Sequence, residues 1–113
     1  MQARDHVDAD GTHIVELSGE VDLHRSVELR ARLDRHVQAK RAVLLVDLTG
    51  VTYIDSAGLA TLIEYVQKSY AFGGRLVLGG IGERLRTIFD IARLDQVFAL
   101  HPTLAEAKAA VQA

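Results

Sequence analysis

The chain has 113 residues, of which 49% are apolar and 25% charged, and its formal net charge is −2 with the histidines neutral. This balance is typical of a globular protein and argues against a disordered chain, a fibre or a nucleic-acid binder, because nucleic-acid binders concentrate positive charge. With no cysteine, the chain can form neither disulfides nor thiolate metal sites. No apolar run is long enough for a membrane span or a signal peptide, so residues 1–113 are expected to form a single cytoplasmic domain without membrane insertion.

Short apolar runs bounded by polar residues or glycine predict four strands, at residues 13–17, 43–48, 75–79 and 97–100. The run at 43–48 is apolar at successive positions, which is typical of a central strand covered on both faces. An edge strand around residues 6–8 is expected to turn back through Asp10 and Gly11, since Asp-Gly favours a tight turn.

Helical spacing is clearest at residues 57–70. The predicted apolar face of this helix consists of Leu59, Leu62, Ile63, Val66 and Tyr70. Its other face carries Glu64 and Lys68 as a favourable i,i+4 pair. This is the best-defined helix in the chain.

Three further helices are predicted. Leu29, Leu33 and Val37 mark the first, although Val27 and Ala31 fall off that face. Another follows a glycine-rich turn at 79–82, with Leu85, Ile88, Phe89 and Ala92 on its apolar face. The last opens with a capping box of Thr103 and Glu106, and its apolar face is Leu104, Ala107 and Val111. The alternation of strands and helices predicts an α/β layer with right-handed crossovers.

The most informative segment is VDLTGVTYIDSAGLATL, residues 46–62, in which a buried strand is expected to end and a loop to follow. Asp55-Ser56-Ala57-Gly58 then opens the second helix, with Ser56 predicted as its N-cap. A cap alone would explain this serine. A phosphate there would also meet unpaired N–H groups and the positive helix end, and would add about −1.5 to −2 charge beside Asp55. Such a change could switch the binding of a partner.

This helix start, with Gly19-Glu20-Val21-Asp22 upstream, resembles the STAS family of anti-sigma factor antagonists, and the similarity extends over nearly the whole chain. The resemblance implies a small mixed, mostly parallel sheet packed with about four helices. It also implies partner switching, in which the unphosphorylated antagonist binds an anti-sigma factor and frees the sigma factor. The anti-sigma factor is a serine kinase that phosphorylates and so inactivates the antagonist. A PP2C-type phosphatase then removes the phosphate.

By the same resemblance, Ser56 is the phosphoacceptor and Asp22 and Asp55 flank it. The start of the second helix, including Ala57, Gly58 and Thr61, is implied to contribute to docking. ATP and magnesium belong to the kinase in this scheme. The chain is therefore expected to be a binding module rather than an enzyme, with no catalytic residue, cofactor or metal of its own.

Signals for other chemistries are weaker. Gly80-Ile81-Gly82 partly imitates a dinucleotide fingerprint, but Leu85 replaces the third glycine and a tight, closely packed turn is expected. Ser56 lacks the G-x-S-x-G context of hydrolases, because Ile54 stands at the first glycine. The carboxylates that could form an acid and base pair are better explained as turns and caps; they are Glu20, Asp22, Asp47 and Asp55.

The histidines and the basic residues do not indicate a metal site or a nucleic-acid site either. The histidines at 6, 13, 24, 36 and 101 lack metal-ligand spacing, so surface or cap roles are expected. Basic residues at 30, 32, 35, 40 and 41 are interrupted by acidic ones, which predicts a solvated helix face.

Two other roles remain within the same fold. One is the regulatory subunit of a lipid-transporting ABC complex, which would bind its ATPase constitutively and tolerate Ser56→Ala. The other is a stressosome-type scaffold component, against which the chain length weighs.

Overall fold

The computed structural model describes residues 1–112. Its strands and helices alternate in the predicted α/β order. They are β1 (Gln2–Val7), β2 (His13–Val21), α1 (Leu23–Gln38), β3 (Val43–Ile54), α2 (Ser56–Ser69), β4 (Arg75–Gly79), α3 (Glu83–Ile91), β5 (Ala99–Leu100) and α4 (Leu104–Gln112). Short 3-10 turns at Tyr70–Phe72 and Leu94–Gln96 follow α2 and α3.

The five strands form one sheet in the order β1-β2-β3-β4-β5. β1 pairs with β2 in antiparallel fashion, and the other three pairs are parallel. A helix connects each parallel pair, as parallel neighbours require a crossover. The small mixed, mostly parallel sheet with four α-helices is therefore confirmed, and β3 is its central strand.

The helices are divided unequally between the two faces of the sheet. The larger core joins α1, α2 and α3 to one face, and its largest fully buried side chains include Tyr65, Phe89 and Leu62. The opposite face packs Ile14, Leu45 and Val77 against Ala107 of α4. Because α4 is only nine residues long, it covers only part of that face.

Two strands are longer than predicted. β3 continues to Ile54, so the loop expected after Leu48 is wrong. β2 continues to Val21, beyond the predicted end at Leu17. The two extensions pair with each other through register irregularities, and that pairing is a tertiary effect without a strong local signal. Of the strand predicted at 97–100, only the last two residues have strand geometry. The edge strand expected around residues 6–8 begins earlier, at Gln2.

Several side chains also differ from the predictions. Tyr70 follows the end of α2 and is 74% exposed, whereas Tyr65 is the buried aromatic of that helix. His36 is buried at 5% exposure rather than lying at the surface or in a cap. The basic face of α1 is partly ion-paired, since Arg30 contacts Glu64. Within residues 1–112, no helix is long and apolar enough to cross a bilayer.

Candidate partner-binding site

The start of α2 is organised by Asp55. This residue has an extended backbone, and its side chain accepts a hydrogen bond from the Gly58 N–H at 3.0 Å, so Asp55 is the N-cap. The prediction that Ser56 is the cap is wrong by one position, because Ser56 is the first residue with helical geometry. An ionised carboxylate is a strong acceptor at the positive end of a helix, which favours aspartate as the cap.

The same carboxylate also reaches α1. Its Oδ2 accepts from the Leu23 N–H at 3.0 Å, while Oδ1 holds α2. Asp22 is the N-cap of α1 and accepts from the Arg25 N–H at 3.1 Å. The amino-terminal ends of α1 and α2 therefore lie together, joined by one side chain.

Gly58 allows α2 to approach β2 closely. A Cβ at this position would lie 2.7 Å from the Val21 carbonyl oxygen and 2.8 Å from a side-chain carbon of Ile54. These separations are shorter than real contacts of a Cβ, so a larger residue would displace the helix. The glycine is therefore required by the packing that brings Ser56 to the edge of the sheet.

Ser56 is exposed at the first position of α2. Its hydroxyl makes no hydrogen bond with any residue in the range 1–112. The N–H groups of Ser56 and Ala57 also have no acceptor within that range, as is usual in the first turn of a helix. The hydroxyl can thus be modified without breaking a bond of the fold.

The other positions implied for docking divide into two groups. Asp22, Asp55 and Ala57 are half-buried and reach the surface beside Ser56. Gly58 is buried, and Thr61 is only 1% exposed, with its hydroxyl donating to the Ala57 carbonyl oxygen at 2.9 Å. Thr61 therefore lies beneath the surface and supports the first turn of α2.

Exposed apolar side chains flank this helix start. Tyr53, at the end of β3, and Ile91, at the end of α3, border a groove of about 330 Å³ that also includes Ser56 and Leu59. Leu23 and Val27 are exposed at the start of α1. None of these residues was predicted to belong to the site. The only signal was that Val27 falls off the apolar stripe of α1.

The remaining candidate motifs have structural roles. Gly80 has a φ of +75°, and a Cβ there would lie 2.2 Å from the Thr49 hydroxyl, so the expected tight and closely packed turn is confirmed. Thr103 Oγ1 accepts from the Glu106 N–H, which is one half of the predicted capping box. Asp22 and Asp55 are helix caps, as the turn-and-cap interpretation predicted, whereas Glu20 and Asp47 lie within β2 and β3 rather than in turns or caps.

Comparisons with known proteins agree with this architecture. The model of the family described as STAS domain matches residues 3–107. An anti-sigma-B factor antagonist of Bacillus subtilis is 32% identical over 83 residues, which cover 74% of this chain and 75% of that protein. One from Listeria monocytogenes is 28% identical over 96 residues, covering 85% of this chain and 79% of that protein.

A solved structure gives the same result in three dimensions. The crystal structure of an anti-sigma factor antagonist from Mycobacterium paratuberculosis superposes with a TM-score of 0.84 and 29% identity. The superposition covers 99% of this chain and 94% of that one. The three relatives named above are anti-sigma factor antagonists, and the chain itself belongs to the STAS domain family.

Proposed function

We propose that this chain is an anti-sigma factor antagonist that works by phosphorylation-controlled partner switching. With Ser56 unphosphorylated, it binds an anti-sigma factor; with Ser56 phosphorylated, it is released. The partner is proposed to be the serine kinase, and a PP2C-type phosphatase restores the binding form. The observation that carries the proposal is the exposed, unbonded Ser56 hydroxyl at the start of α2, between a fixed carboxylate and apolar side chains.

The electrostatics of the helix start support a switch. Phosphorylation would add about −1.5 to −2 charge to the residue next to Asp55. The Asp55 carboxylate is held by two N–H groups, so turning away from the phosphate would cost both bonds. A phosphate amid Tyr53 and Ile91 would also have to lose water when a partner covered the groove. A loss of about 3 kcal/mol of binding energy would weaken the complex roughly a hundredfold.

In this proposal the chain is a substrate and a binding module, not an enzyme. ATP and magnesium would be supplied by the kinase. The role places the protein in the cytoplasm, where sigma factors act. Its expected contact surface consists of Asp22, Asp55, Ser56 and Ala57 with the flanking apolar residues, while Gly58 and Thr61 hold the helix start in position.

The test is site-resolved mass mapping of the tagged chain purified from its own host, together with affinity measurements on the protein that is recovered with it. We expect phosphate on Ser56 and a serine kinase bound to the unphosphorylated form. Ser56→Ala is expected to keep that partner under all conditions, and Ser56→Glu to weaken it about a hundredfold.

Thr52→Ala is the matched control, because Thr52 is an exposed hydroxyl on the adjoining part of β3. It should change neither phosphorylation nor binding. Phosphate on Thr52, or a Ser56→Glu variant that binds like the unmodified chain, would contradict the proposal. Full function of Ser56→Ala in cells would instead favour the constitutive subunit of a transporter.

A further inference from the structure

A second concave surface lies on the α4 side of the sheet, beside the middle of β2 and β3 and the carboxyl end of β4. It is a cleft of about 870 Å³, and none of its lining residues belongs to the groove beside Ser56. Its walls include Glu16 and Asp47 from the sheet, the loop at Gly80, and Thr103 at the start of α4.

The register of the sheet places two carboxylates side by side in this cleft. Arg4, Glu16 and Asp47 are partners in one row across β1, β2 and β3, and the next position in that row is Gly79, which has no side chain. Arg4 Nη2 lies 2.9 Å from Glu16 Oε2, so the first two charges are paired. No ion pair among residues 1–112 includes Asp47.

Asp47 is only 6% exposed, and half of its carboxylate is fixed by the fold. Oδ1 accepts from the Thr49 N–H at 3.0 Å and from the Thr49 hydroxyl at 2.6 Å. Oδ2 has no hydrogen-bond donor in the described part of the chain. Oδ2 is not among the fully enclosed polar atoms of the described chain, so this free oxygen is open to a cation that enters the cleft.

We propose that this cleft binds a small organic cation through its ammonium or guanidinium group, with Asp47 Oδ2 as the principal acceptor and Glu16 as the second. The Ser18 and Thr49 side chains line the same cleft and offer further hydroxyl acceptors. Leu85 and Leu104 line it as well and suit the aliphatic carbons of such a ligand. The volume lies within the range of small-molecule sites, roughly 300–1,000 Å³.

An organic cation fits these residues better than a metal ion. Residues 1–112 contain no cluster of three or more histidines and carboxylates placed to hold a metal. Calcium requires about six to eight oxygen ligands, whereas an ammonium group is satisfied by one or two carboxylates and a few hydroxyls. Arg84 borders the cleft and is the chain's own competing cation.

Putrescine is a suitable probe, and 1,4-butanediol is its uncharged control of equal length. Each is titrated into the full chain while backbone amide shifts are followed by ¹H–¹⁵N NMR. Putrescine is expected to shift the Thr49 and Gly80 amides saturably, and butanediol to leave them unchanged. Asp47→Asn keeps an oxygen for Thr49 and is expected to weaken putrescine at least tenfold.

Asp90→Asn is the matched control, since Asp90 is an exposed carboxylate paired with Arg86 outside the cleft. It should not alter the affinity, and Arg84→Ala should leave it unchanged or raise it. Glu16→Gln gives an independent result, a weakening of a few-fold, should Asp47→Asn fail to fold. Equal shifts with butanediol, shifts confined to other surfaces, or unchanged affinity in both cleft variants would overturn the proposal.

Discussion

Replacing Asp55 with alanine tests whether one carboxylate holds two helices together. Asp55 Oδ1 and Oδ2 each accept one backbone N–H, from Gly58 of α2 and Leu23 of α1, both at 3.0 Å. A lost N-cap costs about 1 kcal/mol, so losing both bonds should lower the free energy of unfolding by about 2 kcal/mol. Asp22→Ala removes a single cap bond and should cost about half as much.

Urea unfolding of the purified variants measures these differences. With a slope of about 1–2 kcal/mol per molar urea, Asp55→Ala should lower the midpoint by about 1–2 M without changing the slope. Ser56→Ala is the neighbouring control and should shift the midpoint little, because its hydroxyl makes no hydrogen bond within residues 1–112. If Asp55→Ala costs no more than Asp22→Ala, the shared cap does not stabilise both helices.

Three further predictions concern packing, protonation and surface charge. Gly58→Ala would put a Cβ 2.7 Å from a β2 carbonyl oxygen and should lower the free energy of unfolding by about 1–3 kcal/mol. If the variant is as stable as the unmodified chain, α2 can shift to make room for the methyl group. Burial lowers the pKa of His36 from its ordinary 6.5. The unfolded chain therefore takes up the proton first, and stability should decline as pH falls below about 6.5. His36→Gln should make that decline shallower. If the variant's stability depends on pH as that of the unmodified chain does, other groups cause the decline. Arg30 and Glu64 are 2.7 Å apart but partly exposed, so a double-mutant cycle should give a coupling of about 0.5 kcal/mol that salt reduces. A coupling above about 2 kcal/mol would mean that solvent does not screen the pair.

The parts of the fold that follow from local pattern could be predicted from the sequence. The run at residues 43–48 is apolar on both faces except at Asp47, and it is the buried half of the central strand. Its extension to Ile54 could not be predicted, because the exposed Thr49, Thr52 and Tyr53 interrupt the apolar pattern. That extension depends on pairing with the end of β2, which is distant in sequence.

The helix cap at the candidate site was predicted to within one residue, whereas the flanking apolar residues were not predicted. Asp, Ser and Thr are all common caps, so composition alone does not distinguish a cap at 55 from one at 56. The role of Asp55 toward α1 depends on a contact 32 residues away in the sequence. Tyr65 and His36 were missed for a similar reason, since burial of an amphipathic side chain depends on which neighbours pack over it.

The requirements on Asp55 and Gly58 change how the Asp-Ser-Ala-Gly motif should be interpreted in related sequences. Asp55 joins two helices, and only glycine at position 58 avoids a clash with a carbonyl oxygen of β2. The fold alone would therefore preserve both residues. The Ser56 side chain carries no such constraint, because it bonds to nothing in the described chain. A relative that had lost the switch would therefore be expected to keep the aspartate and glycine while position 56 varied. Under the proposed switch, the motif as a whole identifies the architecture, and the residue at its second position distinguishes a regulated member from an unregulated one.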